Sequence, residues 1–414
     1  MHTLTLLVGW LILAAVAETK HWPQFRGPNG DGTSAATGLP QEWSESKNVR
    51  WKTAIHDKGW SSPVVWGDQI WLTTAKEDGH ELFALCIDRA SGKIIHDIKL
   101  RDVAEPQYCH PTNSFASSTP AIEAGRVYLH FGVHGTFCLD AGTGSTLWSR
   151  TDLECNHHRG AGSSPVLFEN LLIVPFDGFD VQYVVALDTR TGKTVWKRDR
   201  NIDYGTNNGD AKKAYGTCAL VQVNGRPLVV SPSSGATIAY DARTGEEVWR
   251  VRSGGMNVSA RPLIGKDRLY VHSGEGGFRL FALRPDGEGD ITTSHVDWKY
   301  NKVVPARPSQ LLIGDLIFMV NDAGIVSCVD AKVGEQVWQH RLGGTFTASP
   351  IFADGRIYLS NDAGLTTVIE PAREFKLLTE NQLDDGCMAS PAVTGRSIIL
   401  RTRTHLYCLE VENR

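Results

Sequence analysis

Ala186-Leu187-Asp188-Thr189-Arg190-Thr191-Gly192-Lys193-Thr194-Val195-Trp196 is one statement of a sentence that the chain repeats. A small residue, an apolar residue and Asp come first. Gly follows four residues after the Asp, and Trp four after the Gly. The spacing returns at Ala239/Asp241/Gly245/Trp249, Cys138/Asp140/Gly144/Trp148 and Cys328/Asp330/Gly334/Trp338, and at Cys86/Asp88/Gly92/His96 with His in the Trp slot. Each residue type has a physical task. Asp at a strand end accepts backbone N–H bonds, and Gly supplies the positive φ of a tight turn. Trp brings about 150–250 Å² of side chain to bury, and its natural place is between neighbouring units.

Each unit opens with Pro after a small or basic residue: Ser62-Pro63, Thr119-Pro120, Ser164-Pro165, Arg261-Pro262, Arg307-Pro308, Ser349-Pro350 and Ser390-Pro391, with Cys218-Ala219 in the same slot. An apolar run follows, then a polar turn such as Trp66-Gly67-Asp68, then alternating β-formers such as Arg126-Val127-Tyr128-Leu129. After a second turn, such as Asn321-Asp322-Ala323-Gly324, the repeated sentence supplies a third strand, its turn and a fourth strand. Four short strands per unit, with a period of roughly 40 to 57 residues, predict propeller blades. Counting the Pro slots predicts an all-β, eight-bladed β-propeller of four-stranded antiparallel blades. The last unit stops at Cys408-Leu409-Glu410 without a fourth strand, and the unused segment Asn48-Val49-Arg50-Trp51-Lys52 is predicted to complete it, hiding two edges. Trp51, Trp148, Trp196, Trp249, Trp298 and Trp338 are expected to clamp the seams between blades. The fifth unit has an insertion before Trp298, and the seventh has Glu370 for Asp, no Gly and Leu378 for Trp. Those two seams are expected to be irregular.

The formal charge is −4 and no basic run is visible, which argues against general nucleic-acid binding. Leu4 to Val16 is apolar and Ala15-Val16-Ala17 has the form of a cleavage site. This predicts a signal peptide over 1–17, a mature propeller over 18–414, and a periplasmic or secreted location. The run is short for a membrane span, so the chain is not expected to be an integral membrane protein; an uncleaved anchor is the alternative. Of eight Cys, four (Cys86, Cys138, Cys328, Cys408) fill the slot that Ala takes in other units and are expected to be buried packing residues. Cys109 and Cys155 lie in successive loops at nearly equal distance from the next Pro, and a disulfide between them is an expectation of that spacing.

In a propeller the segment leading into each innermost strand stands at the mouth of the central channel. The polar residues there are therefore the site candidates. His110 and Asn113 come from one loop, His157, His158 and Arg159 from the next, and Tyr215, Asn257, Arg261, Arg307, Asp384 and Asp385 from later units. Such residues either bind a polar ligand or a metal, or bond loop backbones and cap the channel. Gly274-Glu275-Gly276-Gly277 reads as a hairpin turn, since no helix follows. Asp177-Gly178-Phe179-Asp180 reads as a turn as well.

The repeated sentence resembles the tryptophan-docking repeat of the pyrroloquinoline-quinone (PQQ)-type propellers. That superfamily includes quinoprotein alcohol and glucose dehydrogenases and the propeller lipoprotein of the outer-membrane β-barrel assembly machinery. The opening His21-Trp22-Pro23-Gln24-Phe25-Arg26-Gly27-Pro28, with Asn113-Ser114-Phe115-Ala116-Ser117-Ser118-Thr119-Pro120, is similar to exported PQQ-like repeat proteins abundant in planctomycetes. The dehydrogenases hold PQQ and calcium on the axis, with an Asp base and an Arg. By that resemblance Asp385 is the candidate base, with Arg261 or Arg307 as its charge partner. The chain lacks the adjacent Cys-Cys pair of many such enzymes, the Cys-x-x-Cys-His haem signature and a lipid-attachment Cys near Ala17. The expectation is an exported, non-catalytic binding scaffold that holds a protein segment or small polar ligand at the channel mouth. An envelope protein is the expected macromolecular partner. The alternative is a PQQ- and calcium-dependent alcohol or sugar dehydrogenase.

Overall fold

The computed structural model describes residues 21–412; the predicted leader at 1–17 lies outside them. In the unit built on the sentence at 186–196, the strands Val166–Phe168, Leu171–Asp177, Gln182–Asp188 and Thr194–Asp199 pair antiparallel in chain order. Asp188 closes the last turn: its Oδ1 accepts the Thr191 N–H and the Thr191 hydroxyl, each at 2.8 Å. Gly192 then takes φ 70°, a conformation that costs other residues about 1–2 kcal/mol. The strand that follows presents Trp196 to the neighbouring unit.

Eight such sheets form. Their inner strands begin at Val64, Ala121, Val166, Ala219, Leu263, Leu311, Ile351 and Ala392, and the blades are numbered in that order. Val49–Ala54 completes blade eight as expected, antiparallel to His405–Glu410 with Trp51 opposite Cys408.

The blades are joined by their outer strands. The Trp148 indole N–H donates to the Thr189 carbonyl at 2.9 Å, Trp196 to Ala242 at 3.2 Å, and Trp298 to Ala331 at 3.2 Å. Trp51 closes the circle on Arg89 at 3.0 Å. His96 fills the indole's place between blades one and two, with Nε2 at 3.1 Å from the Gly142 carbonyl and its ring against Gly144. The two seams expected to be irregular still receive an indole. Trp249 reaches the Pro285 carbonyl at 2.9 Å, and the blade-five insertion adds Gly289–Asp290 as a parallel strand on the outer edge of blade four. Trp338 reaches the Ala372 carbonyl at 3.0 Å, and Phe375 stands edge-on to it at 5.6 Å where the Gly is missing.

The core follows from this construction. The apolar faces of adjacent blades meet in successive clusters, one of which joins Tyr128 and Trp148 of blade two to Leu172 and Val185 of blade three. Cys86, Cys138, Cys328 and Cys408 are buried in such clusters.

The hub is filled by the chain itself. His21–Trp22 pairs with the inner strand of blade one, on its channel side. The segment rises from the Gly67 turn, whose N–H meets His21 Nδ1 at 3.2 Å, and its Pro23 carbonyl accepts the Ile122 N–H at 2.8 Å. It turns through Phe25 and Gly27 and descends along blade seven, where Phe352 and Gly32 bond at 2.9 Å. Trp22 is fully buried in this hairpin. A buried segment must satisfy its own backbone polar groups, and here the blades' inner strands do so.

Candidate functional site

Above the hairpin the eight inner strands begin in a closed ring. The residue just before each slot is Ser62, Thr119, Ser164, Thr217, Arg261, Ser309, Ser349 or Ser390. The Ser62 N–H donates to the Thr119 hydroxyl at 3.0 Å, Thr119 to Ser164 at 2.9 Å, and Ser164 to Thr217 at 3.0 Å. Arg261 donates to Ser309 at 3.0 Å, Ser309 to Ser349 at 2.9 Å, Ser349 to Ser390 at 2.9 Å, and Ser390 back to Ser62 at 3.1 Å. Arg261 has no hydroxyl to offer blade four, and its Nε instead spans that seam to the Cys218 carbonyl at 3.0 Å. The ring corrects the register expected for blades four and six. Thr217-Cys218 occupies the slot assigned to Cys218-Ala219. Ser309-Gln310 occupies the slot assigned to Arg307-Pro308, and Arg307 stands two residues above it.

In extended backbone, residues two apart share a face. The positions two before the ring therefore form a second tier: Trp60, Ser117, Gly162 and Tyr215 on one side, Ser259, Arg307, Thr347 and Met388 on the other. The second tier and six of the eight ring residues line one cavity of about 340 Å³. Its wall also takes in His110, Asn113, Arg159, Asn257 and Glu275, and Phe25 at the tip of the hairpin is its floor. The site is a cup closed below, not a channel.

Of the candidates expected from sequence, six meet here: His110, Asn113, Arg159, Tyr215, Asn257 and Arg307. Asn113 clamps two loops, its amide donating to the Arg159 and Ala161 carbonyls at 2.9 and 3.1 Å. Arg159 is paired with Asp210 at 2.8 Å and Arg307 with Asp322 at 3.2 Å. Tyr215 packs on Gly162, with the Lys213 ammonium 4.7 Å from its ring. Burial without an ion-pair partner lowers the Lys213 pKa to about 8. Burial also raises the Tyr215 phenol.

Five candidates do not reach the cup. Arg261 lies under the floor, donating to the Phe25 carbonyl at 2.5 Å and to Gln24 Oε1 at 3.3 Å; burial lowers its pKa to about 10. His157 is buried behind the wall, where desolvation holds its pKa well below the usual value. His158 stacks outward near Phe179, with ring centres 4.8 Å apart. Asp384 is exposed. Asp385 is tied to the Thr404 turn of blade eight: burial opposes its ionisation, but bonds from Thr404 at 2.7 and 2.9 Å and from the Gly386 N–H outweigh this and depress its pKa. The candidate base is therefore not at the cup. The expected Cys109–Cys155 disulfide is also not formed. Cys155 Sγ faces His157 Nδ1 at 3.8 Å, and Cys109 Sγ faces the Arg159 carbonyl at 3.9 Å.

Sequence reasoning missed Phe25, Trp60, Glu275 and the hydroxyl ring. Gly274–Gly277 is the expected turn, but Met256 and Glu275 bridge it back to the loop above blade five, which brings the Glu275 carboxylate to Asn257 Nδ2 at 3.0 Å. The ring had a legible signal, a Ser or Thr just before most slots. Phe25 had none, because its contacts are with residues far along the chain.

A calcium ion takes six to eight oxygen ligands. The cup brings one carboxylate, Glu275, already engaged with Asn257, and Phe25 fills the axis. Among the described residues no group of three His, Cys, Asp or Glu is arranged to hold a metal. These residues do not fit a calcium-held quinone. No helix among the described residues is long and apolar enough to cross a membrane.

The family model described as outer membrane protein assembly factor BamB matches residues 48–231 and 180–414. The BamB of Legionella pneumophila (strain Paris) is 23% identical over 212 residues, 50% of this chain and 50% of that protein. Quinohemoprotein alcohol dehydrogenase ADH-IIG of Pseudomonas putida is 26% identical over 254 residues, 54% of this chain and 32% of that one. The chain thus spans half or less of the length of these relatives. The solved quinohemoprotein alcohol dehydrogenase from Comamonas testosteroni superposes with a TM-score of 0.72 at 12% identity, over 97% of this chain and 82% of that one. BamB from Moraxella catarrhalis gives 0.61 at 14% identity, over 87% and 99%. At such identity these structures bear on the fold alone, and it is the family match along nearly the whole described chain, laid over the eight joined blades, that makes this protein a member of the PQQ-like β-propeller family.

Proposed function

We propose that this protein is an exported binding propeller that holds a small polar ligand in the cup at its channel mouth. The observation that carries this reading is the closed floor. A polypeptide segment threading the hub would have to displace the hairpin through Phe25, together with its bonds to Arg261 and to blades one, two and seven. A small molecule needs no such displacement, and a cavity of about 340 Å³ is at the low end of the range for small-molecule sites. The mixture of aromatic walls with a few convergent polar groups is also what such sites use. Export is supported by the predicted leader, and an envelope partner by the likeness to outer membrane protein assembly factors.

The test is native mass spectrometry of protein purified from its own envelope, with a thermal-shift series in PQQ plus calcium. A ligand that binds the native state raises its melting temperature by mass action. A stoichiometric small molecule lost on Tyr215→Ala supports the reading. Stoichiometric PQQ, with calcium-dependent stabilisation and dye-linked alcohol or sugar oxidation, overturns it in favour of the dehydrogenase.

A further inference from the structure

We infer that the ligand of this cup is a small hydroxy acid of sugar-acid type, with its carboxylate set against the hydroxyl ring. The inference rests on the small-ligand reading above and names the chemistry that the cup's hydrogen-bonding inventory selects.

The ring comes first. Each ring hydroxyl oxygen accepts a backbone N–H from the neighbouring blade. A hydroxyl has one proton of its own to donate. None of the hydroxyls in this part of the ring donates to a protein acceptor among the described residues, and Ser62, Thr119, Ser164, Thr217, Ser349 and Ser390 all line the cup. They form a converging set of donors, which suits an oxyanion.

The charges beneath point the same way. Arg26 is buried under the floor and donates to the Asp31, Gln310 and Pro350 carbonyls at 2.6, 2.7 and 3.1 Å. Arg261 beside it donates to two carbonyls and one amide oxygen. Neither guanidinium forms an ion pair among the described residues. A buried charge without a counter-charge costs several kcal/mol, and an anion in the cup offsets that cost for both. Arg159 and Arg307 stand at the rim, each paired with a carboxylate, Asp210 and Asp322.

A bare anion does not satisfy the opposite wall. Asn257 is 6% exposed, and its Oδ1 has no partner among the described residues. Glu275, which bonds the other end of that amide, is an acceptor only. Both need donors, which a carboxylate lacks and hydroxyl groups supply. Trp60, Tyr215 and Phe25 offer faces for the C–H surface of a compact ring. One molecule bearing a carboxylate, several hydroxyls and a small carbon frame meets all three walls.

The experiment is calorimetric titration of the full-length mature protein with D-glucuronate, D-glucose and inorganic phosphate as probes, repeated with Arg307→Gln and Asn257→Ala. Circular dichroism of each variant checks that it folds. D-Glucuronate is expected to bind at least about tenfold tighter than D-glucose or phosphate, a difference of about 1.4 kcal/mol. Arg307→Gln leaves Asp322 uncompensated at the rim and should reduce the preference over glucose, and Asn257→Ala should erase the preference over phosphate. Equal affinity for glucose and glucuronate overturns the anionic part and leaves the small-ligand cup standing. Equal affinity for phosphate and glucuronate overturns the hydroxy-acid part. Binding of none of the three overturns the inference outright, and the cup reading is then judged separately by the native mass spectrum.

Discussion

The seam between blades two and three offers a quantitative test of how this ring is held together. Trp148 is 9% exposed, and its indole bonds the Thr189 carbonyl at 2.9 Å. A Cβ placed on Gly192 would lie 2.7 Å from Trp148 Cε3 and 2.8 Å from Cδ2. Real Cβ contacts are not that short, so Gly192→Ala must push the indole or the turn. The expected cost has two parts: about 1–2 kcal/mol for an L-residue at φ 70°, and about 1–3 kcal/mol for overpacking. Trp148→Ala alone should cost about 3–5 kcal/mol. In the Trp148→Ala background the overpacking part of Gly192→Ala vanishes and the backbone strain remains. The cycle should therefore show a coupling of about 1–3 kcal/mol, with the double variant less damaged than the sum of the singles. The assay is urea unfolding followed by far-UV circular dichroism, with m required to be unchanged among the four proteins. Additivity within about 0.5 kcal/mol would refute the claim that the indole rests on the bare glycine.

Three further outcomes are expected. Asp177 and Arg200 form a fully buried bidentate pair at 2.5 and 2.6 Å, so Asp177→Asn should cost about 3–5 kcal/mol while Asp177→Leu with Arg200→Met costs less; urea midpoints in the reverse order would refute this. Ser349→Ala leaves the buried Ser309 N–H without its acceptor and should cost about 1–3 kcal/mol, whereas Ser349→Thr keeps it; equal losses in the two variants would refute the ring's role. Burial lowers the pKa of His130 to about 3, of His134 to about 4 (Arg101 adding to the effect) and of His272 to about 4. The unfolded chain then binds protons that the native state refuses, so stability is full above the ordinary value of 6.5 and falls as pH drops towards 4, by up to about 1.4 kcal/mol per pH unit per histidine. Melting temperature against pH should show this slope, and His130→Asn should flatten it; an unchanged melting temperature across that window would refute it.

The architecture was legible because its determinants are local. An Asp, a Gly four residues on and a Trp four beyond that specify a turn and an exposed aromatic face, whatever lies elsewhere in the chain. Eight units, five of them carrying that sentence, with one strand missing at the end and one spare at the start, then leave ring closure as the arrangement that covers every sheet edge. The ring register in blade six misled for the same local reason. Pro308 sits two residues before the true slot, and only the bonds from Arg261 to Ser309 and from Ser309 to Ser349 show where blade six begins.

By itself, the sequence determined the blades, their number, the closing strand at Trp51 and the residues that join one blade to the next. Only the tertiary structure decided the site. Phe25 becomes a floor because the segment from His21 runs up a channel whose walls are contributed by blades one, two and seven. Arg261 is drawn beneath that floor, and Asp385 is held by the Thr404 turn of blade eight, away from the cup. The physical reason is the range of the interactions. Turns and strand faces depend on neighbours a few residues away, whereas the cup depends on hydrogen bonds between residues hundreds of positions apart, such as Arg26 with Pro350, and no spacing in the chain encodes them.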